Sequence, residues 1–248
     1  MNILCLDTST EILRVGLSAP DRWTEQLYSG GLRHGEKLFE LLEDGLKHFS
    51  LNPGELNLIA AVRGPGSFTG LRIGLSAAKG LSEGWGIPWV GLSSLAIIGN
   101  LYSYWPGPVM AVIDGRKNRF YCAAYRHGRA INDEEDSPAE VLAETGRSWS
   151  LNKETGLFAG PGAEALGQVF LKEGLAAPVG EKTCALFFKD GGRAVFDPAS
   201  KVSYCPVMAR LGEEHFLSRG GEEPGAGAVY RRSHEGLALQ DQPCKTQP

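Results

Sequence analysis

The sequence lacks the signatures of several large protein classes. Its five cysteines are odd in number and far apart and never form a C-x-x-C pair, so neither a disulfide framework nor a thiolate zinc site is indicated. No apolar run approaches 18 residues, and the first seven residues lack the basic and apolar regions of a signal peptide. We therefore expect a cytoplasmic protein without a membrane segment.

An excess of basic residues is also missing. The 25 lysines and arginines stand against 29 acidic residues, a net charge of −4, which argues against a dedicated nucleic-acid or membrane-surface binder. At roughly 150 residues per domain, 248 residues make one large domain or two small ones. The apolar fraction of 42% is enough to build a core.

Hydrophobic periodicity divides the first half into alternating strands and helices. In the first helix, apolar residues recur with a helical period at Leu38, Leu42, Leu46 and Phe49. Strands are predicted at 2–6, 12–17, 23–28, 58–62 and 87–92, and helices at 35–49, 71–85 and 94–104.

The second half of the chain begins with the same pattern of elements as the first half. A Pro/Gly-rich break at 105–108 precedes a strand at 109–113 that ends in Asp114, just as the first strand ends in Asp7. This echo of strand, aspartate, turn and strand, 107 residues later, favours two related lobes. The second half further predicts a strand at 120–125, a helix begun by a Ser137-Pro138 capping box, and helices at 162–171 and 206–217. Residues 172–203 show no clear pattern, and the polar segment 239–248 is expected to be disordered.

The strongest local motif is GPGSFTG, residues 64–70, between a predicted strand and a predicted helix. Glycines 64, 66 and 70 allow backbone amides to approach an anion at the helix start, but they are equally compatible with a tight turn that binds nothing. The motif is neither a Walker A loop nor a dinucleotide fingerprint. On spacing alone both interpretations stay open.

The sequence shows no catalytic or metal-binding constellation. The G-x-S-x-G match at 80–84 lies inside a helical pattern, where a nucleophile elbow does not form, and we interpret it as chance. The five histidines form no H-E-x-x-H motif. The acidic run 133–136 and the basic area around Arg116 are typical of solvated loops.

Four segments resemble one known family. NILCLDTS at 2–9, AVRGPGSFTGLRIGLSAAK at 61–79, VGLSSL at 90–95 and IDGR at 113–116 are together similar to the TsaB (YeaZ) family. These segments cover about residues 1–125, and Tyr230-Arg231-Arg232-Ser233 resembles the family's C-terminal P-x-Y-x-R ending, with Ala228 in place of proline. The second-lobe motif departs from the usual Asp-Ala-Arg at Gly115.

The resemblance implies a two-lobed actin/Hsp70-like (ASKHA, ribonuclease H-like) α/β fold with a mixed sheet in each lobe. We divide the chain into an N-terminal lobe with partner-binding helices at 1–104, a second and smaller lobe at 105–218, and a C-terminal loop and tail at 219–248. Nucleotide would lie between the lobes, with ATP or ADP and Mg²⁺ possible in the assembled complex. The implied phosphate-loop residues are Asp7, Thr8, Ser9, Gly64, Gly66, Thr69, Gly70, Asp114 and Arg116.

The catalytic paralogue TsaD carries a metal-binding His-x-x-x-His motif after the equivalent strand. Aligned through Val90-Gly91-Leu92, those histidines fall on Ser94 and Ile98, which cannot replace two imidazole ligands. The resemblance therefore implies a non-catalytic subunit, with no metal site, in the complex that transfers threonylcarbamoyl to adenosine 37 of tRNA (t6A modification). Its implied partners are a TsaD-like paralogue, a TsaE-like ATPase and tRNA as the substrate of the complex, and alone it would form a homodimer.

The two N-terminal helices are the implied partner surface. The expected contact residues are Leu38, Leu42 and Leu46 on the first helix and Leu71, Leu75 and Ala78 on the second. Two alternatives remain: an independent ASKHA-type ATP-dependent phosphotransferase that holds Mg²⁺ with Asp7 or Asp114, and a peptidase using Ser82.

Overall fold

The computed structural model describes residues 1–30, 33–178, 185–188, 193–199, 201–223 and 225–229. The predictions for Cys184, Cys244, residues 230–233 and residues 239–248 lie outside these ranges. Among the described residues, no helix combines the length and the apolar character needed to cross a membrane.

The first sheet has five strands in the order β3-β2-β1-β4-β5. The first three strands form antiparallel hairpins, whereas β4 and β5 run parallel to β1. Each predicted strand and helix of the first half is present within a few residues of its expected place. The elements are β1 (Ile3–Asp7), β2 (Leu13–Ser18), β3 (Trp23–Tyr28), α1 (His34–Phe49), a 3-10 turn (Pro53–Glu55), β4 (Leu58–Gly64), α2 (Phe68–Trp85), β5 (Trp89–Ser93) and α3 (Ser94–Leu101).

The second sheet has the order β11-β12-β13-β10-β6-β7-β8, with β9 also paired to β7. Strands β6, β10 and β13 are parallel, and β7 is antiparallel to β6. Both sheets are therefore mixed, as predicted. The elements are β6 (Val109–Asp114), β7 (Arg119–Arg126), β8 (Arg129–Ala130), β9 (Glu135–Pro138), α4 (Ala139–Leu151), β10 (Gly156–Ala159), α5 (Ala163–Lys172), β11 (Ala176–Pro178), β12 (Ala185–Phe188), β13 (Arg193–Asp197) and α6 (Cys205–Arg219).

The two sheets repeat one arrangement. The strand series β2-β1-β4-β5 of the first sheet corresponds in order and direction to β7-β6-β10-β13 of the second. Asp7 and Asp114 end the corresponding strands β1 and β6, so the internal echo in the sequence is confirmed. A Gly-Pro-Gly turn follows both β4 and β10, at 64–66 and 160–162.

One hydrophobic cluster joins the two sheets. It contains residues of β1, β4 and β5 together with residues of β6 and β10, with α3 and α6 among them. Helix α6 packs on the first sheet although it lies in the range 105–218 that we assign to the second lobe. The exact division into lobes stays a prediction.

The apolar stripes of α1 and α2 face the first sheet. Of the six expected partner-contact residues, Leu46 is half-buried, and the other five are buried inside this chain with at most 5% of their surface exposed: Leu38, Leu42, Leu71, Leu75 and Ala78. They pack with strand residues in the core rather than on the surface. The expectation that these residues contact a partner is therefore corrected. An apolar stripe of helical period shows which face of a helix is buried, and here the chain's own sheet buries that face.

One local prediction is also corrected. Helix α4 begins at Ala139, one residue after the Pro138 that the capping box places first in the helix; its N-cap is Pro138, and no side chain caps it. Ser137 instead belongs to β9, where it pairs with Phe120. Ser82 lies within α2 and its hydroxyl donates to the Ile87 carbonyl, so the G-x-S-x-G match does not form a nucleophile elbow.

Candidate functional site

A cleft of about 1040 Å³ lies between the lobes. The C-terminal ends of the parallel strands of both sheets lead into it, the usual place for a ligand in α/β folds. Six of the nine predicted phosphate-loop residues line the cleft: Ser9, Gly66, Thr69, Gly70, Asp114 and Arg116. The other three, Asp7, Thr8 and Gly64, do not line it.

The carboxylate of Asp7 faces the protein interior. Asp7 is only 2% exposed, and its Oδ1 accepts hydrogen bonds from the Ser9 amide at 2.8 Å and the Ser9 hydroxyl at 2.6 Å. Burial raises the pKa of Asp7, although the hydrogen bonds from Ser9 and the positive charge of Arg14 oppose the shift. Asp7 thus fixes the turn after β1 rather than presenting an oxygen to the cleft.

Two glycines of the GPGSFTG loop pack against the turn that follows β1. A Cβ atom at Gly66 would lie 2.7 Å from the Ser9 carbonyl oxygen, and one at Gly70 would lie 2.0 Å from the Thr8 carbonyl oxygen. The Ser67 amide donates to the Ser9 carbonyl, and the Thr8 hydroxyl donates to the Gly70 carbonyl. Contacts within the chain therefore account for these two glycines, as the tight-turn interpretation requires.

These residues do not fit a magnesium-bound nucleotide. The Asp7 carboxylate is enclosed, and Asp114 already accepts a hydrogen bond from the Arg116 amide at 2.7 Å and lies 3.8 Å from the Arg116 guanidinium. Ser9 and Thr8 lie against the Cα atoms of Gly66 and Gly70, so these glycines serve the packing of the turn after β1. No reaction step can be derived through a nucleotide held by this set.

A buried ion network beneath the cleft was not foreseen from the sequence. The Arg14 guanidinium lies 4.1 Å above the Tyr204 ring, and its Nη1 is 3.7 Å from Glu25 Oε2. Glu25 Oε1 accepts hydrogen bonds from the amides of Tyr204, the N-cap of α6, and Cys205, its first residue, each at 3.0 Å. The one available signal was Arg14 itself, a charged residue inside the otherwise apolar β2.

The second lobe contributes a turn that was also missed. Gly160, Pro161 and Gly162 repeat the Gly-Pro-Gly of residues 64–66, and a Cβ atom at Gly162 would lie 2.7 Å from the Asp114 amide nitrogen. Pro161 and the following Glu164 line the cleft. A search for the GPG triplet could have found this turn.

The positions aligned with the TsaD histidines are used in packing. The Ser94 hydroxyl donates to the Pro65 carbonyl at 2.6 Å, and Ile98 is 1% exposed in the cluster between the sheets. Within the described ranges, no three His, Cys, Asp or Glu side chains are grouped as metal ligands.

A pH experiment tests the enclosure of Asp7. Because its folded-state pKa is raised, the folded protein binds this proton more tightly than the unfolded chain, so this group lowers stability as pH rises through and above about 4. In Asp7→Asn the side-chain oxygen can still accept from Ser9, but the buried charge is gone. We expect the variant to gain stability relative to wild type as pH rises from 4 to 7 in urea titrations; a constant difference would show that the carboxylate is solvated.

Comparisons with known proteins agree on one family. A family model described as TsaD, tRNA N6-adenosine threonylcarbamoyltransferase, matches residues 30–196, about two thirds of the chain. The tRNA threonylcarbamoyladenosine biosynthesis protein TsaB of Escherichia coli is 33% identical over 128 residues, which are 51% of this chain and 55% of that protein. TsaB of Bacillus subtilis is 28% identical over 132 residues, covering 53% and 58%. The chain thus spans about half the length of the curated relatives it matches.

Solved structures agree over almost the whole chain. A Pseudomonas aeruginosa crystal structure described as similar to peptidase YeaZ superposes with a TM-score of 0.73 at 25% identity, covering 93% of this chain and 99% of that one. The structure of YeaZ from the same organism gives 0.70 at 24% identity, covering 92% and 99%. The predicted α/β fold class with a mixed sheet in each lobe is confirmed.

Proposed function

This chain belongs to the TsaB/YeaZ family, and we propose on that premise that it is a non-catalytic subunit of a tRNA threonylcarbamoyladenosine-forming complex. It acts by pairing with a TsaD-like paralogue, which carries the metal and the transfer chemistry. A TsaE-like ATPase and substrate tRNA join the same assembly in the cytoplasm. The relatives' names and the matching family model support the t6A role, and the pairing is argued from the surface of α1 and α2.

The observation that carries the pairing is the uncovered outer face of α1 and α2. The two helices pack beside each other on one side of the first sheet. Phe39 on α1 is 48% exposed, although the preceding Leu38 is buried. Exposed aromatic residues of this kind are typical anchors of protein interfaces.

The outer face of α2 also permits close helix packing. Ser76, Gly80 and Gly84 recur at four-residue spacing and are all exposed. Nothing lies within 4 Å of a Cβ atom placed at Gly80 or Gly84. Small residues in a row let a second helix approach closely, so two helices of a partner can complete a bundle with α1 and α2. The same face can pair with a second copy when the paralogue is absent.

The non-catalytic assignment is argued from Ser94 and Ile98. Ser94 makes a buried hydrogen bond to the main chain and Ile98 fills the core, so neither side chain is placed to bind a metal. The predicted phosphate-loop residues support the same conclusion, because Asp7, Gly66 and Gly70 are engaged within the chain. The independent phosphotransferase is the alternative, and the observation in its favour is that six of the nine predicted phosphate-loop residues line the cleft.

Light scattering on size-exclusion fractions tests the pairing. The chain is mixed with the TsaD-like paralogue of the same organism, with and without ATP and Mg²⁺. We expect a peak at the mass of a mixed complex. If none forms under either condition, the proposed function fails.

A surface substitution locates the interface. We expect Phe39→Asp to weaken binding to the paralogue at least about tenfold, the effect of losing one aromatic anchor, without changing the melting temperature. Leu42 cannot serve in this test because it is buried in the core.

Leu217→Asp is the matched control for this substitution. Leu217 is 74% exposed on α6, which packs on the opposite face of the first sheet from α1 and α2, so binding should be unchanged. Equal affinities for Phe39→Asp, Leu217→Asp and wild type, measured by calorimetry, would place the interface elsewhere.

A further inference from the structure

Strand β3 leaves one long edge of the first sheet open. It pairs with β2 along all six of its residues, from Trp23 to Tyr28, and no described strand lies on its outer side. The main-chain amides and carbonyls of an edge strand form a template on which another strand can pair. The edge at β3 can therefore accept one more strand.

The other sheet edges in the described part of the chain are protected. At β5, the Trp89 carbonyl accepts from the Glu222 amide and the Gly91 amide donates to the Glu222 carboxylate, so the segment after α6 covers that edge. The outer strands of the second sheet, β8, β9 and β11, are only two to four residues long, and two of them end in proline. Short length and proline both oppose strand addition. Strand β3 contains no proline, lysine or arginine, so it has none of these protections.

The hairpin between β2 and β3 determines which main-chain groups of β3 face outward. The Ala19 amide donates to the Arg22 carbonyl, so Arg22 faces β2. Hydrogen-bonded and non-hydrogen-bonded pairs alternate along an antiparallel ladder, so every second residue after Arg22 also faces β2. The amides and carbonyls of Trp23, Glu25 and Leu27 consequently face the open edge.

The same three residues place apolar side chains at the edge. Alternation along a strand puts their side chains on one face of the sheet, and Trp23 and Leu27 are each 50% exposed. Glu25 between them is buried, where its carboxylate pairs with Arg14 and accepts from the amides at the start of α6. Its charge is therefore compensated within the chain, and an exposed apolar side chain lies on each side of it.

We propose that a second copy of this chain adds its own β3 to this edge, antiparallel and around a two-fold axis at Glu25. In this register Trp23 of each copy lies opposite Leu27 of the other. These pairs and the pair at Glu25 join the outward-facing amides and carbonyls of both copies, which forms about six hydrogen bonds. A register shifted by two residues would place Glu25 opposite Trp23 or Leu27 and would leave apolar side chains uncovered.

Self-complementarity selects a second copy as the occupant of the edge. The apolar residues of β3 lie symmetrically about its centre, so the strand matches its own reversed copy, as a two-fold interface requires. Two six-residue strands with four half-exposed apolar side chains bury about 800 to 1,000 Å² in total, less than a standard interface, so the dimer is weak and reversible. The edge is a different surface from the outer face of α1 and α2, and the inference does not rest on the proposed function.

Sedimentation equilibrium of the full-length chain tests the dimer. Between about 10 μM and 1 mM, the range in which weak contacts associate, we expect a reversible shift from the monomer mass to the dimer mass. Leu27→Lys should weaken association at least about tenfold without lowering the melting temperature, because charge at an edge opposes strand pairing and the change occurs twice in the dimer. Leu217→Lys is the matched control, since Leu217 is exposed at the far end of α6 from Glu25, and it should associate like wild type.

Disulfide trapping tests the register. In the proposed dimer Thr24 of one copy lies opposite Gln26 of the other in a non-hydrogen-bonded pair, with Cα atoms about 4.5 Å apart, a distance that a disulfide can span. The double variant Thr24→Cys, Gln26→Cys should form a covalent dimer in oxidised glutathione, with the bond mapped between positions 24 and 26 by mass spectrometry. Neither single variant should do so, because each position faces the other and not itself. Wild-type protein, whose described cysteines are buried, controls for other disulfides.

Four results would overturn the proposal. A monomer at every concentration would leave the edge to a strand of another protein. Equal association of Leu27→Lys and wild type, or a dimer that Phe39→Asp abolishes, would place the contact on another surface. A covalent dimer in either single cysteine variant, or none in the double variant, would contradict the register.

Discussion

Gly70→Ala should destabilise the fold by about 3 kcal/mol, a loss of about 6 to 12 °C in melting temperature for a chain of this size. A Cβ atom at this position would lie 2.0 Å from the Thr8 carbonyl oxygen, which is a backbone atom. Relief of the collision must move the turn after β1 away from α2. That movement breaks the hydrogen bond from the Thr8 hydroxyl to Gly70 and disturbs Ser9, which holds Asp7.

Gly80→Ala is the matched control on the same helix. Nothing lies within 4 Å of a Cβ atom at Gly80, so the substitution supplies helix propensity without a collision and should stabilise the protein by about 1 kcal/mol. Urea unfolding of both variants gives the comparison. If Gly70→Ala were as stable as Gly80→Ala, the loop would have free space beside Gly70. That result would favour the anion-binding interpretation of GPGSFTG over the tight-turn interpretation.

The fold could be read from the sequence wherever local periodicity decides structure. The strand β1 and the helix α1 follow directly from their apolar patterns, and the Asp7–Asp114 echo correctly indicated two related lobes. Strands β11, β12 and β13 were missed because they are three to five residues long, too short to show a period.

The interface was harder to predict for a physical reason. An amphipathic pattern predicts that one face of a helix is buried, but it does not show whether the same chain or a partner buries it. Leu38 and Leu42 are buried by the chain's own sheet. The surface left for a partner includes small exposed residues such as Gly80, which an apolar periodicity does not single out. Only the packed structure separates the two faces.

The ion network of Arg14 and Glu25, which forms the floor of the cleft, could not be predicted because its residues come together only in the tertiary structure. Glu25 and the start of α6 are about 180 positions apart in the chain, yet one carboxylate oxygen binds two amides of that helix. No local sequence pattern predicts a contact between residues so far apart in the chain. The Gly-Pro-Gly repeat at 160–162, in contrast, was visible in the sequence and became meaningful once both lobes were compared.

Glu25→Ala should lower the free energy of unfolding by about 3 to 5 kcal/mol, the cost of removing one member of a buried ion pair. The side chains of Arg14 and Glu25 are 4% and 3% exposed, so water cannot replace the lost carboxylate. The variant leaves the buried Arg14 guanidinium without the carboxylate it pairs with and removes the acceptor of the amides of Tyr204 and Cys205 at the start of α6. Glu25→Gln keeps an acceptor oxygen for those amides, so it should cost about half as much in the same urea titrations.

Glu36→Ala on α1 is the control, because it removes an exposed ion pair instead of a buried one. Glu36 also pairs with an arginine, Arg33, but their side chains are 63% and 60% exposed, and the pair contributes no more than about 0.5 kcal/mol. A loss for Glu25→Ala as small as that for Glu36→Ala would mean that solvent reaches the cleft floor. A large loss, halved in Glu25→Gln, would instead show that α6 is held to the first sheet through its capped N-terminus.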